Sequence, residues 1–282
     1  MPQRISSLPC GAKIKFGSYS VNGEAAHKIR WIKVVSNDTI LLTENLEDFR
    51  AFDSPEPYNP QSERQDYGNN YYPLSNIDQF LNSEDDEWYS PRHDYDSPPD
   101  KNHYRDAEGH YDNHPGFLAY FKTKERDAII PTEITTVVSH ADTTSESHTS
   151  EKISRKVFLP SIEEVLGAGK WDYFVNHTNK AYPSPQAVAY TQHICDLCEE
   201  NNKYYYLRDA SISDSHQVAY ITPSGGREYC YACHSILGIR PALTLNPRTL
   251  VTNETDEQGY YHVIISKIAP NEVLEEKFLS II

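Results

Sequence analysis

The sequence is short of positive charge and has no long hydrophobic run. Its 26 lysines and arginines stand against 41 aspartates and glutamates, for a formal net charge of -15. A surface of this sign repels phosphate backbones and anionic lipid, so direct nucleic-acid binding is not expected. No stretch approaches the roughly 18 apolar residues of a membrane-spanning helix, and the N-terminus lacks a hydrophobic signal core. We therefore expect a cytoplasmic protein that does not bind membranes.

Recognisable catalytic motifs are also missing. The chain has many serine, histidine and aspartate residues, but it has no nucleophile elbow around a serine. It also has no glycine-rich loop of the kind that cradles a phosphate. The sequence therefore indicates no reaction, and we expect a protein that acts by binding rather than by catalysis.

Cysteine is scarce, but four of the five cysteines form two CxxC pairs, Cys195 with Cys198 and Cys230 with Cys233. Each pair can present two sulfurs on one side of a tight turn, and two such pairs complete a tetrahedral zinc site with Zn–S distances of about 2.3 Å. Four thiolates leave no open position for water, so we predict a structural Zn2+ at these residues. The 31 residues between the two pairs are too many for a compact zinc ribbon. This spacing favours a zinc staple, that is, a metal ion that cross-links a loop of a larger fold.

Other interpretations of the cysteines stay open. The two pairs could be unrelated thiols or an oxidisable switch. His193 and His234 flank the pairs and could replace one cysteine, although four thiolates suffice and a place beside the metal or on the surface is expected. Cys10 lies in a Pro-Cys-Gly turn and is expected to be an ordinary free thiol.

Apolar periodicity predicts a β-rich N-terminal half. Residues 13–43 alternate as three strands of a meander, with turns at 22–23 and 37–38. A polar, proline-rich loop is expected over 54–66. Behind Ser75, apolar residues at three-to-four spacing predict a short helix that ends near Leu81.

The C-terminal half is predicted to alternate short elements with polar loops. Pro160-Ser161 followed by two glutamates has the cap and first-turn acids of a helix that ends at Gly167 or Gly169. A further helix is predicted over 123–128. Strands are predicted over 132–138, 156–159, 204–207, 217–221, 239–245 and 262–267. The polar segments 84–114 and 139–154 are expected to be exposed insertions.

Several segments resemble, in order, those of a bacterial and phage family known only as uncharacterised domain number 6273. They are IKFGSY, IRWIKVV, ILLTENL, YYPLSNIDQFLN, FKTKERDAII, KVFLPSIEEV, YYYLRD, VAYITPSGG and GIRPALTLNP. The likeness covers about residues 13–246.

We expect a single domain over 1–282, with a C-terminal strand and tail over 247–282. The protein is expected in the cytoplasm of a bacterium or of a phage host. The family usually has a tryptophan pair at Tyr205-Tyr206, and its unknown function gives no reaction to carry over.

The segment Gly238-Ile239-Arg240-Pro241-Ala242-Leu243 also resembles the Gly-Phe-Arg terminal strand of C-type-lectin-like and sulfatase-modifying-factor domains. The resemblance implies a C-type-lectin-like α+β fold with small twisted antiparallel sheets, two or three helices and long irregular loops. It also implies that the two chain ends pair as neighbouring strands and that Arg240 is a structural anchor.

Clusters of tyrosine and asparagine suggest a binding surface, because these side chains offer large contacts at small entropic cost. The candidate ligand contacts are Tyr71, Tyr72, Tyr204, Tyr205, Tyr206, Arg208, Tyr229 and Tyr231. About half of the tyrosines are expected to be sheet residues that face the core. For Arg208 an anchor role, in which it pairs with an acid such as Asp209 or Asp214, is favoured over a ligand contact.

The sequence thus favours a non-enzymatic protein that recognises a protein or another macromolecule through aromatic and amide-rich loops, with Zn2+ holding the loops rigid. One alternative is a phage-type inhibitor whose acidic segment 84–114 imitates nucleic acid for a defence enzyme. That segment could instead bind a hard cation, but its spacing matches no known calcium loop, so a solvated loop is favoured over a cation site. A second alternative is a copper-dependent thiol oxidase of the formylglycine-generating type, because CYACHSILGIRP is loosely similar to its cysteine-containing strand.

Overall fold

Three β-sheets dominate the fold. The computed structural model describes residues 1–21, 25–99, 114–143, 147, 149–191 and 204–265. The strands of these parts are β1 (Gln3–Arg4), β2 (Lys13–Tyr19), β3 (His27–Lys33), β4 (Ile40–Thr43), β5 (Asp48–Phe49), β6 (Ile129–Ile130), β7 (Thr132–Val137), β8 (Ser150–Arg155), β9 (Val157–Phe158), β10 (Tyr205–Ala210), β11 (Gln217–Ile221), β12 (Arg227–Tyr231), β13 (Gly238–Ile239), β14 (Ala242–Leu245), β15 (Leu250–Val251) and β16 (Tyr261–Ile264).

The helices are short and lie between the strands. The described α-helices are α1 (Ser62–Tyr67), α2 (Asn76–Asn82), α3 (Thr123–Ala128), α4 (Ile162–Leu166), α5 (Asp172–Asn176) and α6 (Pro185–Thr191). Single 3-10 turns occur at Ile5–Ser7, Tyr72–Leu74, Phe117–Tyr120 and His140–Asp142. Helices and predominant sheet together make an α+β fold, as predicted, although more helices are present than the expected two or three. None of the described helices combines the length and apolarity needed to cross a bilayer.

The largest sheet has nine strands in the order β1-β15-β16-β2-β3-β4-β14-β6, and β9 also pairs with β14. The predicted meander is confirmed as β2, β3 and β4, in which Trp31 pairs with Ile14 on one side and with Thr43 on the other. Strands near the two chain ends are neighbours, because β1 pairs with β15 and β16 runs parallel to β2. Nine strands with a parallel pair contradict the expected small antiparallel sheet.

A second sheet has five strands in the order β12-β11-β10-β13-β5, and β7 and β8 form a separate hairpin. The chain passes from this sheet to the largest one at Arg240-Pro241, between β13 and β14. Arg240 is buried at this junction, where its Nε donates to the Thr43 carbonyl and its guanidinium lies over the Tyr205 ring. The anchor role implied for Arg240 fits this position. One connected hydrophobic cluster takes side chains from both sheets.

Local signals predicted several elements correctly. Ser75 caps α2, and Ser161 with Glu164 forms a capping box at α4, which ends at Gly167. The two predicted insertions need correction. β8 begins at Ser150 and pairs with β7 along its length, so the second insertion is partly a strand.

The first insertion, 84–114, is not uniformly exposed either. Trp88 is buried and packs edge-on against Phe80. Moving the large apolar surface of the indole out of water into the core stabilises the folded state. The loop expected over 54–66 also contains the start of α1 at Ser62. Residues 100–113 lie outside the described residues.

Candidate functional site

The second cysteine pair lies where β12 ends. Cys230 is a strand residue in register with Val218 of β11, rather than part of a turn as expected. Cys233 lies in the turn that follows, and its N–H donates to the Tyr67 carbonyl at 2.9 Å. The intervening Ala232 carbonyl accepts from the N–H groups of Phe52 and Asp53. The pair is therefore held against the end of α1 and the segment after β5.

Burial controls the chemistry of these two thiols. Burial raises the pKa of Cys230 to about 12, although a hydrogen bond with Tyr206 acts to lower this pKa. Burial also raises the pKa of Cys233 to about 11. Both sulfurs are therefore protonated near neutral pH unless a cation displaces the protons. Cys10, Cys230 and Cys233 are free of disulfides.

The first cysteine pair and His193 lie outside the described residues. Within the described residues, no three or more histidine, cysteine, aspartate or glutamate side chains are grouped to hold a metal ion. His234 packs its ring against Tyr231 with centroids 5.3 Å apart. The donor type of Cys230 and Cys233 fits a soft or borderline metal such as zinc, and this half of the predicted set sits on an ordered strand and turn.

Half of the candidate ligand contacts lie in the core and not on the expected surface. Tyr72, Tyr205 and Tyr206 are fully buried, and Arg208 is 2 % exposed. The hydroxyl of Tyr205 donates to the Asn179 carbonyl at 2.7 Å, and that of Tyr206 donates to the His234 carbonyl at 2.6 Å. Their hydrogen bonds are thus made within the protein, which is the usual condition for buried polar groups.

The other four candidates are at least partly accessible. Tyr204 and Tyr229 are 42 % and 37 % exposed. Tyr71 donates its hydroxyl to Glu151 at 3.0 Å, and Tyr231 stacks on Tyr67 with ring centroids 4.1 Å apart. Of these four, Tyr229 lines a large groove.

This groove has a volume of about 640 Å³, within the range of ligand-binding clefts. It lies between β7, the start of α4, β10 and β12. Its lining residues are Glu133, Ile134, Thr135, Val137, Ser161, Ile162, Glu163, Glu164, Arg208, Asp209, Ile212, Arg227 and Tyr229. Sequence reasoning identified only Arg208 and Tyr229 of this set, because the groove forms between segments that are far apart in the chain.

Three charged groups of the groove, Arg208, Glu164 and Asp209, are committed to internal bonds. Arg208 makes a two-point ion pair with Glu164 and donates its Nε to the Thr135 carbonyl. The carboxylate of Asp209 accepts from the N–H groups of Val137 and Ile162. Arg208 is therefore an anchor, as the sequence favoured, although its partner is Glu164 rather than Asp209 or Asp214.

The outer wall of the groove is β12. Arg227 and Tyr229 are both exposed, and the guanidinium of Arg227 lies 5.3 Å from the centre of the Tyr229 ring. Successive strand residues point to opposite faces, so Tyr229 faces the groove while its neighbour Cys230 points away from it. Neither the residue types nor the exposure of Arg227–Tyr231 alternates, so no local sequence signal identified this strand.

The described part of the acidic segment is folded against a buried polar cluster. Nε2 of His93 lies 3.1 Å from Glu56, and this contact raises the pKa of His93. Asp96 accepts from the Arg92 N–H and from the Asn76 side-chain amide, and burial raises the pKa of Asp96. Part of the histidine and carboxylate content of this segment is therefore used internally.

Comparison with known proteins identifies a family without identifying a function. No curated protein sequence matches this chain, and no solved structure matches it. The sequence model described as Domain of unknown function (DUF6273) matches residues 36–247, which include the groove, β12 and the second cysteine pair. Since this match covers most of the sequence, the chain belongs to the DUF6273 family.

Proposed function

We propose that this protein is a non-enzymatic binding protein that recognises a protein or another macromolecule through the groove bounded by β12. The observation that carries the proposal is the contrast between the wall and the floor of the groove. Arg227 and Tyr229 on the wall are exposed, whereas Arg208 and Glu164 on the floor are bonded to each other. An exposed aromatic with an adjacent cation is the type of contact that dominates binding interfaces.

The internal bonds of the floor favour binding over catalysis. A catalytic acid or base needs a titratable group that can reach a substrate. The carboxylate of Glu164 is engaged by both terminal nitrogens of Arg208, and that of Asp209 is engaged by two backbone N–H groups. These groups are better suited to holding the groove in shape than to exchanging protons with a ligand.

A structural Zn2+ on Cys195, Cys198, Cys230 and Cys233 is part of the proposal. Cys230 follows Tyr229 directly in β12, so a metal bound there would restrain the strand that forms the groove wall. Zinc would act as a staple with no role in chemistry, since four thiolates complete its coordination. A cytoplasmic location, where thiols stay reduced, is the matching environment.

We also propose a distant C-type-lectin-like relationship for the fold. It is supported by the position of Gly238–Leu243 at the junction of the two sheets and by the pairing of strands near the chain ends. Proteins with this fold have many different functions, so the fold does not identify the ligand.

Mimicry of nucleic acid by the acidic segment is the second candidate function, and one observation favours it. Asp85, Asp86 and Glu87 are consecutive exposed carboxylates directly before the buried Trp88. The indole would hold these charges on the surface in a defined position. Competition with DNA or RNA for a nuclease, lost on neutralising the three acids, would favour this function over groove binding.

The test of the main proposal is affinity capture with the immobilised full-length chain from bacterial lysate. We expect a partner that is retained by the wild type and lost by the double variant Arg227→Ala, Tyr229→Ala. Tyr58→Ala is the matched control, because Tyr58 is exposed but does not line the groove. Failure to capture a partner, together with turnover of a metabolite, would contradict the proposal.

A separate experiment tests the thiol oxidase alternative. Copper-dependent oxygen uptake that is abolished by Cys230→Ser but retained by Cys195→Ser would establish the oxidase instead.

A further inference from the structure

The outer edge of β12 has no partner among the described strands. β12 is the terminal strand of the five-stranded sheet, and β11 is its only partner in the part of the chain that the structure describes. An exposed strand edge is a template for pairing with another chain. Natural proteins usually cover such an edge or protect it with charged residues, proline or bulges, unless the edge serves in binding.

The register of β11 and β12 shows which backbone groups face outward. At the two ends of this ladder the Thr222 N–H donates to the Gly226 carbonyl, and the Ala232 N–H donates to the His216 carbonyl. Residues of an antiparallel strand alternate between those that bond the partner and those that face away. Glu228 and Cys230 therefore bond β11, and Tyr229 directs its N–H and carbonyl outward. No backbone bond joins Tyr229 to a described residue outside this ladder.

The same strand lines the groove with its side chains. Tyr229 and Arg227 alternate in the strand and both contribute to the groove wall. A chain added about 4.8 Å beyond β12 would place every second side chain on this same face of the sheet. Backbone bonds to the edge and side-chain contacts with Arg227 and Tyr229 at the rim of the groove would then be available to a single extended segment.

The lining of the groove indicates what such a segment carries. Three isoleucines, at positions 134, 162 and 212, supply its apolar part. The lining also contains four carboxylates, at positions 133, 163, 164 and 209, but only two cations, at 208 and 227. With a net charge of -15 for the whole chain, the electrostatic complement is a basic segment.

We propose that β12 binds an extended segment of a partner protein by strand addition, with apolar and basic side chains of that segment on the face of the sheet that carries the groove. This inference rests on the proposed binding function and specifies its partner and mode of recognition. A second copy of this chain is the competing occupant, because an unpaired edge can also pair with itself across a two-fold axis.

The experiment selects peptides from a library of random dodecapeptides on the immobilised full-length protein. We expect selected peptides to alternate apolar or basic residues with residues of any type. N-methylation of the best peptide is then scanned residue by residue. Methylation at every second position should weaken binding by about tenfold, since it removes a hydrogen bond to β12, and methylation at the intervening positions should have little effect.

A variant of the protein provides an independent test. Tyr229→Pro removes one outward N–H as well as the ring, and it leaves the bonds of Glu228 and Cys230 to β11. Tyr229→Ala removes only the ring, so Tyr229→Pro should bind the peptide about tenfold more weakly than Tyr229→Ala while the protein stays folded. Tyr229→Phe keeps the backbone donor and the ring, and it should bind as the wild type does.

Three outcomes would overturn the inference: N-methylation effects without a period of two, full binding by a folded Tyr229→Pro variant, or a dimer of the chain that this substitution dissociates. The third outcome would assign the edge to a second copy. Capture of a partner that Tyr229→Ala and Tyr229→Pro weaken equally would remove strand addition and leave the binding function standing. The N-methylation scan decides the question even where Tyr229→Pro does not fold.

Discussion

Arg208 and Glu164 form a two-point ion pair beneath the groove, with Nη1 to Oε2 at 2.6 Å and Nη2 to Oε1 at 2.7 Å. The same guanidinium donates to the carbonyls of Thr135 and Leu159. One buried side chain therefore ties β10 to β7, to the end of β9 and to α4. The shape of the groove floor depends on this connection.

Arg208→Met should lower the free energy of unfolding by about 3–5 kcal/mol, because it leaves a carboxylate and two carbonyls without their donor. Glu164→Gln should cost less, since the Glu164 side chain is 20 % exposed and water can reach it. Urea-induced unfolding measures both. Lys152→Met is the control at the exposed Lys152–Glu133 pair and should change nothing measurable. Equal effects of all three substitutions would contradict the anchor role of Arg208.

Trp88 should contribute strongly to stability although it lies in an acidic segment. It is 2 % exposed, and its ring centroid lies 5.9 Å from that of Phe80. Trp88→Ala should therefore lower the free energy of unfolding by about 3–5 kcal/mol through lost contacts and a cavity. Tyr95→Ala, in the same segment at a residue that is 38 % exposed, should have a much smaller effect in the same denaturation assay. An unchanged transition for Trp88→Ala would show that this segment does not pack as described.

The zinc proposal predicts one zinc ion per chain by elemental analysis of protein purified without chelator. Each substitution in the predicted ligand set should lower both the zinc content and the melting temperature, because it opens the coordination shell. These substitutions are Cys195→Ser, Cys198→Ser, Cys230→Ser and Cys233→Ser. Cys10→Ser is the matched control, since Cys10 is a free thiol outside the predicted ligand set. A zinc-free preparation that melts at the same temperature as the metal-loaded protein would refute the staple.

Asp78 should make stability depend on pH in mildly acidic solution. Burial raises the pKa of Asp78 to about 6, while its ion pair with Arg155 acts in the opposite direction. Between about pH 4 and pH 6 the folded state holds a proton on Asp78 that the unfolded chain has released. Stability from this group is therefore greatest below that window, and it falls as pH rises through it by at most about 1.4 kcal/mol per unit.

Asp78→Asn removes this titration, so the slope of unfolding free energy against pH should flatten between about pH 4 and pH 6. Asp86→Asn, at an exposed carboxylate, is the control and should keep the wild-type slope. Identical slopes for wild type and Asp78→Asn would show that Asp78 is ionised throughout this range.

The sequence alone determined those elements whose signals are local. The strands of the β2-β3-β4 meander alternate apolar residues between polar turns, and each was predictable within a few positions. The helices α2 and α4 begin at serine caps that bond their own first turn. Such signals act over a few residues, so no knowledge of the distant chain is needed to detect them.

Only the tertiary structure decided which aromatic side chains are accessible and where a binding surface exists. Tyr205 and Tyr206 looked equivalent to Tyr204 in sequence, but pairing of β10 on both edges buries them and leaves Tyr204 exposed. The groove likewise takes its walls from β7, α4, β10 and β12, which are distant in the chain. Burial and surface shape are sums over long-range contacts, and for that reason no local pattern in the sequence determines them.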